Sequence, residues 1–218
     1  MQIPEQISLL TAFAKEHGLV LLQNQLHNFS AFCELLIEAN KSTNLISKND
    51  EQKIITRHIA DSLMFATPFG CGRDEGRHIG LPLHHGTWVD IGSGAGFPVI
   101  PLCIYLPHIK FYAIEPRKKR CEFLNYVKQK LNLQHLEIVQ SRAESAPIPP
   151  ANIVSCRAVG SLTEDLARAK TILKKGGLFL TVKSKRLIEE TPPPKGAKIL
   201  HYNLPGEEQD YVLLYYHL

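Results

Sequence analysis

The chain has 218 residues, 44% of them hydrophobic and 21% charged, which is enough for one ordinary hydrophobic core and too little for two full domains. No apolar run approaches the roughly 20 residues of a membrane span, and the first residues lack the basic start and apolar run of a secretory leader, so we expect a cytoplasmic protein without a membrane partner. The net charge of +4 is too small to indicate a nucleic-acid partner by itself.

The distribution of charge is more informative than its sum. Residues 1–69 contain 5 Lys and Arg against 7 Asp and Glu, whereas the remaining residues contain 20 against 14. The positive excess therefore lies in the larger, C-terminal part of the chain.

Residues 1–69 are predicted to form a helical cap region. Apolar side chains recur at steps of three and four between Leu22 and Ile37, the spacing of one helix face. A shorter helix before this one is predicted to end at Gly18, and a third helix is predicted from Asp50 to Met64. We therefore expect an N-terminal helical extension.

Residues 70–86 are predicted to be a loop, because five glycines and one proline fall within 17 residues. Cys71, His78, His84 and His85 lie in this loop, but their spacing matches no zinc site and we expect no metal. The five cysteines of the chain are odd in number and form no C-x-x-C pair, which is typical of reduced thiols.

From Thr87 the sequence alternates between short β-rich apolar runs and helix-like segments, a pattern typical of a parallel sheet with helices on its faces. We predict an α/β, Rossmann-like core over residues 87–218, with a mostly parallel seven-stranded sheet, helices on both faces and a C-terminal antiparallel hairpin. The apolar runs are Trp88–Ile91, Phe111–Ile114, Leu136–Val139, Ile153–Ser155, Leu178–Val182, Lys198–Leu204 and Tyr211–His217. The helix-like segments are Pro98–Leu106, Arg117–Leu131 and Ser161–Leu173.

The last of these helices has the clearest boundary signals. SLTE, from Ser161 to Glu164, is a capping box, and KKGG, from Lys174 to Gly177, is predicted to supply a basic last turn and a glycine stop. We expect the helix to lie between these two signals.

The stretch WVDIGSGAGFP, from Trp88 to Pro98, places Gly92, Gly94 and Gly96 directly after the first predicted strand. In an open parallel sheet, ligands bind beyond the carboxyl ends of the strands, and glycine lets the backbone turn sharply and approach a ligand closely. The spacing G-x-G-x-G differs from the dinucleotide fingerprint, and a phosphate loop ending in Gly-Lys-Ser/Thr is absent from the sequence. We predict that this glycine elbow contacts a nucleotide-like cofactor.

Two acidic residues indicate which cofactor the elbow takes. Asp90, two residues before the first glycine, would repel a pyrophosphate but attract an ammonium, and S-adenosylmethionine carries an ammonium and a sulfonium. Glu115, at the end of the second predicted strand, follows Gly96 by 19 residues, close to the spacing of roughly 20 for an acid that binds ribose hydroxyls. The pair favours S-adenosylmethionine and a class I methyltransferase core. The alternative is that Asp90 caps a helix and Glu115 is a solvated strand end.

The residues after the fourth predicted strand bear on the methyl acceptor. An Asp/Asn-Pro-Pro-aromatic segment for exocyclic amines is missing, because the sequence there reads IVSCR from Ile153. Cys156 could act as the nucleophile that methylation of a pyrimidine carbon needs, but no Pro-Cys pair accompanies it and a buried core cysteine is the commoner role. Guanine N7 carries no proton and needs no general base, so a site that only aligns the reactants suits it.

Basic residues follow several predicted strands at the ligand edge of the sheet. Their charges would neutralise phosphates and attract an RNA substrate, whereas individual surface lysines can also serve solubility alone. The residues predicted to bind RNA at this edge are Arg117, Arg142, Lys183 and Lys185.

With these residues in place, the chain resembles the bacterial small-subunit (16S) ribosomal RNA guanine-N7 methyltransferases, also called the glucose-inhibited division protein B family, over roughly residues 30 to 185. The resemblance rests on NKSTNL from Asn40, RHIADSL from Arg57, VDIGSGAGFP from Val89, IPL from Ile100, EPRKKRCEFL from Glu115, SRAE from Ser141 and CRA from Cys156. It implies methyl transfer to guanine 527 of 16S rRNA, and we expect a monomer.

The resemblance also implies roles for individual residues. Phe97 and the elbow would contact the cofactor, Glu115 would bind its ribose, and Ala143 with Glu144 would line the adenine pocket. Arg157 would contact the cofactor and stand between it and the target base as the catalytic residue.

The helical N-terminal part, with Asn44, His58 and Asp61, resembles the family's cover over the mouth of the active site. Asn44 and His58 are candidate RNA contacts. His58 also lies on an apolar helix face, where a hydrogen-bonded core histidine is an equally good interpretation.

Three other functions remain compatible with the sequence: a methyltransferase of a small molecule or another RNA base, an RNA-binding assembly protein that holds the cofactor without transferring its methyl group, and an NAD-dependent enzyme. Binding of S-adenosylhomocysteine but not NADH would exclude the last of these.

Overall fold

The computed structural model describes residues 2–69, 86–157 and 160–218. The predicted loop over residues 70–86 therefore lies outside the described residues except for Gly86, and so do Cys71 and the three loop histidines. No helix in the part of the chain that the structure describes is long and apolar enough to cross a bilayer.

Within the described residues, seven strands form one sheet in the order β3-β2-β1-β4-β5-β7-β6. The first five strands pair in parallel, and β7 is antiparallel to both β5 and β6. The predicted Rossmann-like fold and closing hairpin are confirmed. The strands are β1 (Thr87–Ile91), β2 (Lys110–Ile114), β3 (Leu136–Val139), β4 (Ala151–Arg157), β5 (Leu173–Ser184), β6 (Lys198–Asn203) and β7 (Asp210–His217).

The strand order reverses beside β1, whose neighbours are β2 on one side and β4 on the other. Connections leave toward opposite faces at such a switch point and open a crevice at the carboxyl ends of the strands. The glycine elbow after β1 lies at this crevice.

Four helices agree with their predicted ends within two residues, namely Ile3–Glu16, Val99–Tyr105, Lys118–Lys130 and Leu162–Ile172. The helix Gln23–Thr43 continues six residues beyond Ile37, the last residue of the predicted apolar face, and no prediction covered the helix Lys185–Glu190. The predicted helix over Asp50 to Met64 is not continuous. That segment is broken into α3, a π-helical turn over Ile54–Ile59, and α4. The α-helices are α1 (Ile3–Glu16), α2 (Gln23–Thr43), α3 (Lys48–Glu51), α4 (Ala60–Met64), α5 (Val99–Tyr105), α6 (Lys118–Lys130), α7 (Leu162–Ile172) and α8 (Lys185–Glu190).

The sheet buries both faces against helices. On one face, Trp88 and Phe111 belong to a core that continues through α5 and α6 into the N-terminal helices, including Phe29 and Phe32. On the other face, α7 packs on apolar residues of the central strands such as Val154. The apolar stripe predicted for α2 therefore faces the same core as the sheet.

The start of β5 differs from the sequence prediction. The capping box at Ser161 is present, but α7 ends at Ile172, and Lys174–Gly177 lies inside β5 rather than closing the helix. The basic residue of the last helical turn is Lys170. Pairing of Ala151 with Leu173 extends β5 backward, so tertiary pairing overrides a local stop signal.

Candidate active site

Asp90 is held in the interior by a chain of hydrogen bonds between β1 and β4. Ser155 lies opposite Asp90 in the register of the two strands. The indole Nε1 of Trp88 donates to Ser155 Oγ at 2.9 Å, and that hydroxyl donates to Asp90 Oδ1 at 2.8 Å. Since an indole N–H can only donate, the Ser155 hydroxyl accepts from Trp88 and donates its own proton to Asp90. The two hydrogen bonds thereby fix the orientation of the carboxylate.

The second carboxylate oxygen, Asp90 Oδ2, is buried and has no hydrogen-bond partner among the described residues. A buried oxygen without a donor is costly unless a ligand supplies one. The ammonium of S-adenosylmethionine is such a donor, so Asp90 fits the predicted cofactor better than it fits the role of a helix cap.

The environment of Asp90 also sets its protonation. Burial raises the pKa of Asp90 to about 7, against the lowering effect of the hydroxyls of Ser93 and Ser155 and of the Arg157 charge. The carboxyl group therefore titrates near neutral pH in the ligand-free protein, and a cationic ligand favours its charged form.

The glycine elbow needs glycine for two different reasons. Gly92 and Gly94 have φ angles of 72° and 57°, which side chains rarely adopt. At Gly96, with φ 96°, an added Cβ would lie 2.7 Å from Ile100 Cγ1 and 3.3 Å from Leu124 Cδ2. The elbow thus turns tightly and packs directly on α5 and α6.

Replacing Gly96 by alanine is expected to lower the free energy of unfolding by about 2 kcal/mol or more, because it adds overlap with Ile100 to backbone strain. Gly176→Ala is the matched control, since Gly176 also has a positive φ of 76° but no atom within 4 Å of its added Cβ. That control isolates the strain, roughly 1 kcal/mol. Equal losses in denaturant unfolding of the two variants would contradict the packing role of Gly96.

Glu115 closes the elbow at the end of β2. Its Oε1 accepts from the backbone N–H of Arg117 and its Oε2 from the backbone N–H of Gly94, both at 2.9 Å, while Arg120 lies 3.7 Å away. A carboxylate has about four acceptor sites, so two remain for ribose hydroxyls. The solvated strand end considered from sequence is wrong, because Glu115 is buried.

The predicted adenine-pocket residues lie in a 3-10 turn after β3. Ala143 is buried beside the apolar residues of the α7 face of the sheet, and Glu144 is exposed with an ion pair to Arg168 at 3.3 Å. Ala143 belongs to the same apolar cluster as Ile91 and Ile114, at the ends of β1 and β2, and can offer an apolar surface to an adenine ring. The Glu144 carboxylate is instead paired with Arg168.

Arg157 ends β4 and connects the sheet to the N-terminal helices. Its Nη1 donates to Asp61 Oδ2 and its Nη2 donates to His58 Nδ1, both at 2.7 Å. The guanidinium carbon lies 5.3 Å from the centre of the Phe97 ring, within cation–π range. Three contacts thus fix the plane of the guanidinium beside Phe97, the position that we call the mouth of the elbow.

The contact with Arg157 decides the state of His58. Because arginine cannot accept a hydrogen bond, Nδ1 of His58 is unprotonated and its proton lies on Nε2. Burial, followed by the charge of Arg157, lowers the pKa of His58 to about 4. His58 is therefore neutral at physiological pH, and the geometry favours a hydrogen-bonded interior histidine over an RNA contact.

Tyr202, on β6, is a member of this cluster that sequence reasoning missed. Its hydroxyl donates to Asp61 Oδ1 at 2.5 Å, so Asp61 bridges Tyr202 and Arg157. No local signal marks Tyr202, because the contact joins residues 141 positions apart. A cavity of about 520 Å³ adjoins the cluster, bordered by Arg157, Asp61, Gly160, Ser184 and Tyr211.

Four of the predicted RNA-binding residues are exposed. Arg117 and Arg142 are exposed after β2 and β3, and Lys185 is exposed with an ion pair to Asp210 at 3.3 Å. Asn44 is exposed at the end of α2, where it borders a second concavity of about 690 Å³. These four side chains are accessible to a phosphate backbone.

The expectation that Lys183 binds RNA is wrong for this geometry. β5 extends to Ser184, so Lys183 lies inside the strand and its side chain faces α7. Its ammonium is buried and donates to Asp165 Oδ2 at 2.8 Å and to the Gly160 carbonyl at 2.9 Å. A buried, paired ammonium holds the structure together and is not available to phosphates.

Cys156 is fully buried on β4, with its thiol 3.6 Å from Thr181 Oγ1. Burial raises the pKa of this thiol well above its ordinary value, so the thiolate is disfavoured. The core interpretation of Cys156 is therefore preferred to the nucleophile.

Solved methyltransferase structures share this fold. The chain superimposes on precorrin-6y C5,15-methyltransferase from Geobacter metallireducens with a TM-score of 0.50 and 13% identity, covering 80% of this chain and 92% of that one. It superimposes on the C-terminal domain of the Rhodobacter capsulatus precorrin-6Y enzyme with a TM-score of 0.51 and 18% identity, covering 63% and 83%. The fold, the glycine elbow and the acids at the ends of β1 and β2 define an S-adenosylmethionine-dependent methyltransferase.

Sequence comparison narrows this class to one family. The family model GidB, described as rRNA small subunit methyltransferase G, matches residues 25–203. Proteins named ribosomal RNA small subunit methyltransferase G are 33% identical to the chain, over 89% of this chain and 78% of the relative in Desulfitobacterium hafniense Y51, and over 84% and 74% in Staphylococcus aureus JH9. The chain belongs to the rRNA small subunit methyltransferase G family.

Proposed function

We propose that the protein transfers the methyl group of S-adenosylmethionine to N7 of a guanine in 16S rRNA, guanine 527 by its family relationship. The observation that carries the proposal is that a buried carboxylate oxygen without a donor, Asp90 Oδ2, and a fixed guanidinium, that of Arg157, lie at the same glycine elbow. The relatives are named ribosomal RNA small subunit methyltransferase G, which supports ribosomal RNA as the substrate class.

The residues of the chain divide the work between binding and alignment. When bound, the cofactor supplies a methyl group on a positively charged sulfur. Asp90 binds its ammonium and Glu115 its ribose, which fixes the donor relative to the end of β4. Arg157 has five N–H donors, of which two are committed to Asp61 and His58, so others remain to orient the acceptor base.

No general base is required in this proposal. N7 of guanine has an in-plane lone pair and loses no proton on methylation, so the reaction needs alignment and removal of water. Alignment alone can supply of order 7 to 11 kcal/mol in favourable cases. His58, neutral and hydrogen-bonded to Arg157, supports the arginine and takes no proton in the reaction.

The location and partners follow from the same proposal. Exposed Arg117, Arg142 and Lys185 would contact rRNA phosphates, and Asn44 would do so from the helical cap region. Residues 1–69 would form this cap over a methyltransferase core of residues 87–218. We infer a cytoplasmic monomer whose substrate is the rRNA of the small ribosomal subunit.

The test is transfer of a tritiated methyl group to 30S subunits, to naked 16S rRNA and to RNA carrying 7-deazaguanine at the target position. Label is expected in at least one of the first two substrates and none in the third, because 7-deazaguanine lacks the accepting nitrogen. Reduction and aniline cleavage would then locate the methylated guanine.

Two results would contradict the proposal. Labelling of the 7-deaza substrate would move the acceptor away from N7. Saturable binding of S-adenosylhomocysteine without transfer to any ribosomal substrate would favour the assembly protein that holds the cofactor without using it.

A further inference from the structure

We propose that Tyr202, in the C-terminal hairpin, is a positioning residue for methyl transfer, because its hydroxyl fixes the carboxylate of Asp61 and through it the guanidinium of Arg157. The inference deepens the proposed function and rests on it. It assigns a role to β6 and β7, which lie outside the glycine elbow and the strand ends that the sequence motifs mark.

The two oxygens of Asp61 have separate donors. Tyr202 donates to Oδ1 at 2.5 Å and Arg157 donates to Oδ2 at 2.7 Å. Asp61 and Tyr202 are both buried, at 5% and 4% exposure, so water does not readily replace either donor. Burial, then the charge of Asp61, raises the pKa of Tyr202 well above its ordinary value, which keeps the hydroxyl a donor. The carboxylate therefore cannot rotate without losing a hydrogen bond.

The orientation of Asp61 determines that of Arg157. The guanidinium uses one terminal nitrogen for Asp61 and the other for His58, with Phe97 below its plane. If the Tyr202 hydroxyl is removed, Asp61 Oδ1 loses its donor and can turn toward Arg157, where a two-oxygen pairing competes with the His58 contact. The guanidinium would then leave its position at the mouth of the elbow.

Other contacts hold the hairpin against the helical cap region without this hydroxyl. Glu207 accepts from the hydroxyl of Tyr211 at 2.6 Å and lies 3.7 Å from both Arg57 and Lys53. The rings of Tyr202 and Tyr211 stack with centroids 5.9 Å apart. Tyr202→Phe keeps the ring and these contacts, so it isolates the hydroxyl.

We expect Tyr202→Phe to lower kcat for methyl transfer roughly tenfold while KM for S-adenosylmethionine and affinity for S-adenosylhomocysteine change less than about twofold. Tyr216→Phe is the matched control, because Tyr216 lies in the same hairpin opposite Phe179, toward the far end of β5 from Ser184. The control is expected to retain wild-type kcat. A Tyr202→Phe enzyme with unchanged kcat, or with the loss entirely in KM, overturns the proposal.

A double-mutant cycle separates positioning from general destabilisation. In an Asp61→Asn background, Tyr202→Phe is expected to cause no further loss of kcat, since its effect passes through the carboxylate. Fully additive losses would overturn the proposal, because a structural role of the hydroxyl does not depend on Asp61.

A measurement on the ligand-free protein distinguishes failure of this inference from failure of the proposed function. Hydrogen exchange of the Arg157 Nη–H groups, assigned by NMR with Arg157→Lys, is expected to be several-fold faster in Tyr202→Phe than in the wild type and unchanged in Tyr216→Phe. Equal exchange in all three proteins contradicts the positioning role whether or not ribosomal RNA is methylated, whereas absence of transfer by the wild type contradicts only the proposed function.

Discussion

Replacing Arg157 by alanine is expected to abolish methyl transfer, with a loss of at least about a thousandfold in kcat, while binding of S-adenosylhomocysteine is retained. The guanidinium of Arg157 lies between the elbow and the adjoining cavity, where it is fixed by contacts with Asp61, His58 and Phe97. In the proposed mechanism, its loss removes the N–H donors that would orient the acceptor base. Single-turnover transfer and calorimetric binding measure the two effects separately.

A control is needed because the substitution leaves the Asp61 carboxylate without its partner. Arg157→Ala leaves the buried carboxylate of Asp61 without its ion-pair partner, which can cost 3 to 5 kcal/mol of stability. Arg157→Lys retains a charge for Asp61 but lacks the planar fork that also reaches His58, so it is expected to stay folded and still lose at least about a hundredfold in kcat. Near-normal turnover of a folded Arg157→Lys or Arg157→Ala protein would refute the catalytic role.

Replacing Asp90 by asparagine is expected to weaken binding of S-adenosylhomocysteine roughly ten- to hundredfold, the effect of removing a charged, buried hydrogen bond. Asparagine has nearly the same shape and keeps an acceptor for Ser155, so the variant removes the charge and little else. Thermal unfolding monitors the fold, and calorimetry measures the affinity.

The raised pKa of Asp90 also predicts how the affinity for S-adenosylhomocysteine depends on pH. Burial raises the pKa of Asp90 to about 7, so the ligand-free carboxyl is protonated below that pH. The ammonium of the ligand prefers the carboxylate and lowers its pKa, so affinity should rise with pH through 7 and then level off. Below pH 7 the affinity is expected to fall by up to about tenfold per unit.

Asp90→Asn is expected to bind with an affinity that does not change over this pH range. Asp210→Asn serves as the matched control, because Asp210 is an exposed carboxylate of the hairpin and its variant should keep the wild-type pH profile. A wild-type affinity independent of pH between 6 and 8, the range around the expected pKa of about 7, would rule out Asp90 as the ammonium ligand.

Local patterns were sufficient where one strand or helix carries its own signal. The apolar run after Thr87, the three glycines and the spacing to Glu115 predicted the first strand, the turn and the cofactor class, because each depends on neighbouring residues. The capping box of α7 was also recognisable, since Ser161 and Glu164 satisfy each other's hydrogen bonds within one turn.

Local patterns failed where strand pairing fixes the structure. Lys174–Gly177 reads as a helix stop, yet pairing with β4 makes it part of β5, and the longer strand carries Lys183 into the interior opposite Asp165. The broken helix around His58 was not predictable for a different reason. Its apolar spacing continues through the π-helical turn, so the sequence pattern shows no break.

The amino-acid sequence alone determines the class of fold, the glycine elbow and the acids that select a cationic cofactor, because these follow from the period of apolar residues and from short spacings. The tertiary structure alone decides the surroundings of Arg157. There, Asp61 and His58 come from the helical cap region and Tyr202 comes from the hairpin, 141 residues beyond Asp61. Hydrogen bonds between such distant residues depend on how the sheet and the helices pack, and no spacing along the chain encodes that packing.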